Sequence, residues 1–268
     1  MSDDARVVEA REAAEAAAGF ARLAGELLLG YFRRENLVAS LKDDYSVVTE
    51  ADIAADRLLA GLLRERFPDD AILSEELRPD WISGSRSTWI VDPLDGTTNF
   101  SLGVEHWGVS IGRCRDGVPD VGVLAFPALG ELYVSSRGGG ATLNGAVIRT
   151  RVPSSSHPIG MLACCSRTPR FHHVNLPLKM RVYGSAAYTL ACVARGSAAV
   201  GMETRPKVWD LAAGWRLVEE AGGVIATMDG SRPFPLSSDT DYASASFPVL
   251  AAASADLAAQ ANEHIERR

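Results

Sequence analysis

Cysteine is scarce in this chain, and what there is forms no pattern. Cys114, Cys164, Cys165 and Cys192 include no C-x-x-C pair. They read as free thiols in a reducing compartment, not as a disulfide framework, with Cys164 and Cys165 as small core residues. His106, His157, His172, His173 and His264 show no metal-ligand spacing, which sets aside a histidine metal centre, and His172 and His173 read as loop or surface. Basic charge is short: 27 Lys and Arg stand against 34 Asp and Glu, for a formal net charge of −7. This excludes nucleic acid as the main partner, because backbone binding needs a basic face. It does not exclude a small anion, because bound metal ions reverse the local sign. No apolar run reaches the about 20 residues of a membrane span, so no membrane partner is expected. The start, Met-Ser-Asp-Asp, is acidic and leads into a charged helix, unlike a signal or transit peptide; the expected location is the cytoplasm.

What is present is enough apolar material for a sizeable core, 47% of 268 residues, in one large domain or two closely packed halves. The spacing predicts a long amphipathic helix over residues 5–34, with Val7, Val8, Ala14, Ala18, Leu23, Leu27 and Leu28 as its apolar stripe. A second helix is predicted over 50–67, with Leu58, Leu59, Leu62 and Leu63 inward and Pro68 as its stop. Short strands are expected at 71–74 and 89–91, then antiparallel strands between Trp107 and Tyr133, where Val109, Ile111, Val121, Val123 and Leu132 alternate with Gly and Pro. The Ser- and Pro-rich stretch 152–157 marks the expected boundary between an N-terminal α+β half, 1–150, and a C-terminal α/β half, 151–268. In the second half, helices are predicted over 185–195 and 210–221.

The most informative segment is Trp89-Ile-Val-Asp-Pro-Leu-Asp-Gly-Thr-Thr-Asn-Phe100. A hydrophobic strand ends in Asp92, Pro93 turns the chain, Asp95 follows, and Gly96 permits a tight bend into a short helix. Carboxylate oxygens suit hard cations such as Mg²⁺, and the free N–H groups of a helix start suit a phosphate. Such a strand end can hold a metal beside the anion that it polarises. Glu75 and Glu76 stand at the end of the strand 71–74, either as ligands or as a solvated pair. Asp52, three residues after Thr49, reads as part of a capping box, or as a carboxylate that orients water. Asp210, in Val208-Trp-Asp-Leu-Ala-Ala-Gly214, reads as an N-cap when taken alone. Glu203 reads either as a strand-end surface acid or as an acceptor for a substrate hydroxyl.

Three blocks together carry a resemblance: Leu73-Ser-Glu-Glu76, Trp89 to Phe100, and Val208 to Gly214 followed by Glu219-Glu-Ala-Gly-Gly223. In order and spacing the chain resembles the inositol monophosphatase family of metal-dependent, lithium-sensitive phosphatases. The resemblance implies a layered αβαβα sandwich of the inositol monophosphatase and fructose-1,6-bisphosphatase type, and a homodimer. It implies two or three Mg²⁺ ions: Glu75, Asp92 and the Leu94 carbonyl at the first, Asp92, Asp95 and Asp210 at the second, and a third near Glu75 and Lys42 to Asp44. Asp52 and Thr97 would activate the attacking water, and Gly96 and Thr97 would give N–H groups to the phosphate. Gly184, Ser185, Ala186 and Glu203 would contact the alcohol. The reaction implied is hydrolysis of a small phosphate monoester without a phosphorylated residue. Inositol 1-phosphate comes first; histidinol phosphate, fructose 1,6-bisphosphate and adenosine 3′,5′-bisphosphate are the alternatives. A binding protein on the same fold is the remote alternative, and would be expected to lose a ligand or Thr97.

Overall fold

The computed structural model describes residues 2–32, 39–41, 47–76 and 85–268. The elements in chain order are α1 (Asp3–Tyr31), β1 (Ala39–Leu41), β2 (Val47–Thr49), α2 (Glu50–Arg66), β3 (Ala71–Ser74), β4 (Ser87–Asp95), α3 (Thr97–Ser101), β5 (Gly108–Arg115), β6 (Val118–Phe126), β7 (Glu131–Ser136), β8 (Gly140–Leu143) and β9 (Ala146–Val147). There follow β10 (Met161–Cys164), α4 (Thr168–Phe171), β11 (His172–Val174), β12 (Lys179–Val182), α5 (Ala186–Ala194), β13 (Val200–Glu203), α6 (Val208–Glu220), β14 (Val224–Thr227), β15 (Val249–Ala252), α7 (Ala255–Glu263) and β16 (Ile265–Arg267).

Two sheets form the frame. One runs β3-β4-β5-β6-β7-β8-β9, antiparallel except for the β3–β4 pair. The other runs β12-β10-β13-β15-β14, with β12, β10 and β13 parallel. Helices α1 and α2 cover one face of the first sheet, α5 and α6 lie between the sheets, and α7 covers the far face of the second. This is the expected αβαβα layering. The period of two along the strands sorts side chains between layers. Val121, Val123 and Ala125 of β6 join the core under α1 and α2, whereas Leu124 and Phe126 join the core under α5 and α6. In β4, Trp89 and Val91 face α1 and α2, and Ile90 faces the other way. Asp92 shares the parity of Ile90, so its side chain is directed to the layer that carries α6.

The α1 stripe is buried as predicted at Ala14, Ala18 and Leu28 but not at Val8 or Leu23. Val8 and Leu23 are 55% and 46% exposed, and the buried face is Ala10, Ala13, Ala14, Ala17, Ala18, Ala21, Ala24 and Leu28. A row of alanines lets the helix lie close on the sheet, a preference that larger apolar residues elsewhere on the helix obscure. In α2, Leu59 and Leu63 are buried, while Leu58 and Leu62 are only partly so. His172 and His173 lie in the strand β11 rather than a loop; His173 is exposed, as a surface residue should be, and His172 is half-buried.

Candidate metal centre

The site is assembled where β4, α6 and α5 meet. Asp92, at the centre of the acidic group, is 2% exposed and accepts the backbone N–H of Leu94 at 2.9 Å. Asp95 ends β4; the hydroxyl of Ser185 donates to it, as do the N–H groups of Ala186 at 3.2 Å and Ala187 at 3.1 Å. Asp210 accepts the N–H of Lys207 at 2.7 Å. The three aspartates offer carboxylate oxygens within 4.8 Å of one another. Glu75, directly after β3, is outside this triplet, but its backbone N–H bonds Val91 of β4 at 3.2 Å and its charge acts on all three.

Burial, then Glu75, Asp95 and Asp210, push the Asp92 carboxyl well above the usual carboxylate range. Burial, then Asp95 and Glu75, do the same to Asp210. Asp95 is pushed up to about 6 by burial, although the bonds from Ser185, Ala186 and Ala187 oppose the shift. Crowding buried like charges without a counter-ion is unfavourable. An all-oxygen donor set of this kind fits a divalent cation, which supplies the missing charge.

Asp210 is not an N-cap. Helix α6 begins at Val208, its N-cap is Lys207, and Asp210 is the third helical residue, reaching back to the capping N–H. Asp52 does combine the two readings given for its position. Thr49 caps α2 in a capping box, donating its N–H to Asp52 Oδ2 at 2.8 Å and its hydroxyl to the same oxygen at 2.5 Å. The second carboxylate oxygen of Asp52 faces Thr97 Oγ1 at 3.1 Å. Thr97 Oγ1 is also 3.0 Å from the Leu94 carbonyl. One hydroxyl proton serves one of these acceptors at a time, so the other stays available. Burial raises the Asp52 carboxyl above its usual range, against the bonds from Thr49.

Gly96 has φ +83°, and a Cβ there would lie 2.8 Å from the His106 carbonyl; only glycine makes this bend without strain. Beyond it, Asn99 Nδ2 donates to the carbonyls of His106 at 2.6 Å and Tyr183 at 2.7 Å, which ties the motif to Gly184 and the start of α5. Sequence reasoning gave Asn99 no role. Its place inside the Thr-Thr-Asn run was the signal. Ser185 and Ala186, expected on the alcohol, here hold Asp95.

Glu203 is not a surface acid. It is 5% exposed, and Oε1 has no hydrogen-bond partner among the described residues. Burial, then Cys165, push its carboxyl well above the usual range. Cys165 is half-buried beside it, with Sγ 3.4 Å from Thr168 Oγ1 and 3.2 Å from Thr204 Oγ1; it is a site neighbour as much as a core residue. Lys42 to Asp44, expected near a third ion, lie outside the described residues. No described helix is long and apolar enough to cross a membrane.

The chain resembles known proteins over nearly its whole length. The profile of the inositol monophosphatase family covers residues 9–266. A histidinol-phosphatase of Chlorobaculum parvum is 36% identical over 222 residues, 76% of this chain and 81% of the relative. An inositol-1-monophosphatase of Mesorhizobium japonicum is 38% identical over 210 residues, 74% of this chain and 78% of the relative. Among solved structures, the extragenic suppressor protein suhB of Bartonella henselae superposes with a TM-score of 0.79 at 27% identity, over 93% of this chain and 96% of that one.

Proposed function

Because the chain belongs to the inositol monophosphatase family, we propose that it is a Mg²⁺-dependent phosphatase that hydrolyses the monoester of a small polyol, inositol 1-phosphate first. The observation that carries this reading is the convergence of Asp92, Asp95 and the half-buried Asp210 within 4.8 Å in a mutually repelling group. Glu75 and the Leu94 carbonyl complete the donor set. When bound, divalent ions act as Lewis acids that neutralise the phosphate.

The chain's own residues do the positioning. Gly96 and Thr97 present backbone N–H groups to the phosphate. Asp52 and Thr97 hold the attacking water: with its hydroxyl proton directed to Asp52, Thr97 keeps an oxygen lone pair that accepts a hydrogen of the water. Glu203 Oε1, buried and without a partner among the described residues, takes a hydroxyl of the alcohol, with Gly184, Ser185 and Ala186 along the same wall. Ser185 and Ala186 serve Asp95 at the same time, which couples the alcohol side to the acidic centre. Lithium, a small cation able to enter the Asp95–Asp210 side of that centre, is expected to inhibit.

The test is a phosphate-release screen on inositol 1-phosphate, histidinol phosphate, fructose 1,6-bisphosphate and adenosine 3′,5′-bisphosphate, with Mg²⁺ or with chelator. Fastest release from inositol 1-phosphate, lost with chelator, supports the reading. Preference for histidinol phosphate supports the second reading, which the Chlorobaculum parvum relative favours. Release in excess chelator contradicts both.

A further inference from the structure

A cavity of about 710 Å³ lies outside the acidic centre, at the ends of β13 and β14. It lies on the carboxyl side of the parallel strands β10 and β13, the end at which α/β sheets usually take ligands. None of the described residues assigned above to metal, water, phosphate or alcohol lines it. Its walls come from distant parts of the chain, among them Phe171, His172, Arg205, Met228 and Arg267.

The charges in it are unbalanced. Arg205 and Arg267 form no ion pair and no side-chain hydrogen bond with any described residue. His172 and Arg267 are direct cross-strand partners in the β11–β16 ladder. His172 Nδ1 is buried without a partner among the described residues, and burial, then Arg267, hold the imidazole below its ordinary range. The lining includes one carboxylate, Asp229, which is already bonded by the N–H of Ser231 at 3.0 Å and its hydroxyl at 2.5 Å. In contrast, the arginine-rich hollow around Arg6, Arg115, Arg137 and Arg216 has an acidic partner for each arginine. Two planar guanidiniums with free donors match phosphate oxygens. The volume is in the range of small-molecule sites and far larger than a bare phosphate. Phe171, 48% exposed, and Met228 supply a face for a flat apolar body.

We propose that this cavity binds a phosphate-bearing ligand of nucleotide size, with Arg205 and Arg267 on the phosphate and Phe171 and Met228 on the flat body. The site also touches the machinery described above. Thr204 lines the cavity, bonds Cys165, and directly follows Glu203. The segment 204–207 then leads to the N-cap of the helix carrying Asp210. A ligand here can therefore reach both the alcohol side and the acidic centre through one short connection. The assignment does not depend on the phosphatase reading, and either can fail alone.

The test is isothermal titration of the chelator-treated full chain with adenosine and guanosine 5′-monophosphate, against the two nucleosides and inorganic phosphate. Without divalent ions the acidic centre repels phosphate, so the heat reports the cavity. One monophosphate per chain is expected to bind, with the nucleosides and inorganic phosphate at least about tenfold weaker. Arg205→Met and Arg267→Met are each expected to weaken the monophosphate by about ten- to a hundredfold, the range for losing a charge-assisted bond. A wild-type measurement guards against a folding defect in the variants: the imidazole proton signal of His172, followed with pH, should show a higher pKa with the monophosphate and none with the nucleoside. Absence of monophosphate binding, equal binding of nucleosides, wild-type affinity in both variants, or an unmoved His172 each overturns the proposal.

Discussion

Glu203 ends β13 with a carboxylate that is almost fully enclosed and leaves one oxygen without a partner among the described residues. An enclosed acceptor without a partner is costly, and a ligand hydroxyl would remove that cost. Glu203→Leu removes hydrogen bonding in either protonation state while keeping a buried side chain of similar size. We expect turnover of inositol 1-phosphate to fall roughly ten- to a hundredfold, as for a lost bond to a charged or buried group, while an aryl phosphate without hydroxyls stays nearly unchanged. Steady-state kinetics on both esters decides this; equal losses would reassign Glu203 to support of the acidic centre. The gathering of the acids was largely legible in the sequence. Asp92, Asp95 and Gly96 are neighbours in one motif, and Asp52 carries its capping box openly. The enclosure of Glu203, the thiol of Cys165 beside it and the bridging of Asn99 were not, because they depend on contacts between segments tens of residues apart.

Helix α6 brings Asp210 to the β4 aspartates, and the sheet beneath it is shaped to allow this. Gly112 of β5 and Gly122 of β6 are direct cross-strand partners. A Cβ at Gly112 would lie 2.7 Å from that of Ala212, and one at Gly122 would strike the Ala213 carbonyl. The helix therefore rests on bare backbone. Gly122→Val should lift α6, lower stability by about 1–3 kcal/mol as overpacking does, and reduce turnover further by displacing Asp210. Urea denaturation and kinetics check this together; a variant with wild-type midpoint and rate would show that the close approach is dispensable. The strands that carry these glycines were legible as short apolar runs broken by Gly, but the contact that needs the glycines was not. The start of α6 was read two residues late, because Val208-Trp209 offers no start signal and the reaching-back carboxylate of Asp210 looks the same as a cap. The face of α1 was read correctly at Ala14, Ala18 and Leu28 and missed at its other alanines, because alanine weighs less in an apolar pattern than the exposed Val8 and Leu23.

Taken as a whole molecule, the protein gathers its acids at one interior point between two sheets, and its stability should follow their charge. Burial first, then mutual repulsion, raises Asp92 and Asp210 well above the usual range, and burial raises Asp95 to about 6. A raised carboxyl holds its proton more tightly folded than unfolded. Its contribution is thus fully present below the unfolded value of about 3.9 and is lost as pH rises through the folded value. The chelated protein should therefore melt lower at pH 8 than at pH 5, and Mg²⁺ should restore the loss at pH 8; calorimetry that finds neither shift would contradict the electrostatic account. The layering was legible here through the family resemblance, while the cavity bounded by β11, β13, β14 and β16 was not, since its walls come from dispersed segments with no shared motif. The central claim, that this acidic point is a metal centre for phosphate hydrolysis, is tested most directly by phosphate release from inositol 1-phosphate as a function of Mg²⁺ in the wild type and in Asp210→Asn, with melting curves of both. The account predicts saturable activation of the wild type, no release with chelator, and a folded variant with no Mg²⁺-dependent turnover. Undiminished release from the wild type in excess chelator, or from the variant at any Mg²⁺ concentration, would contradict it.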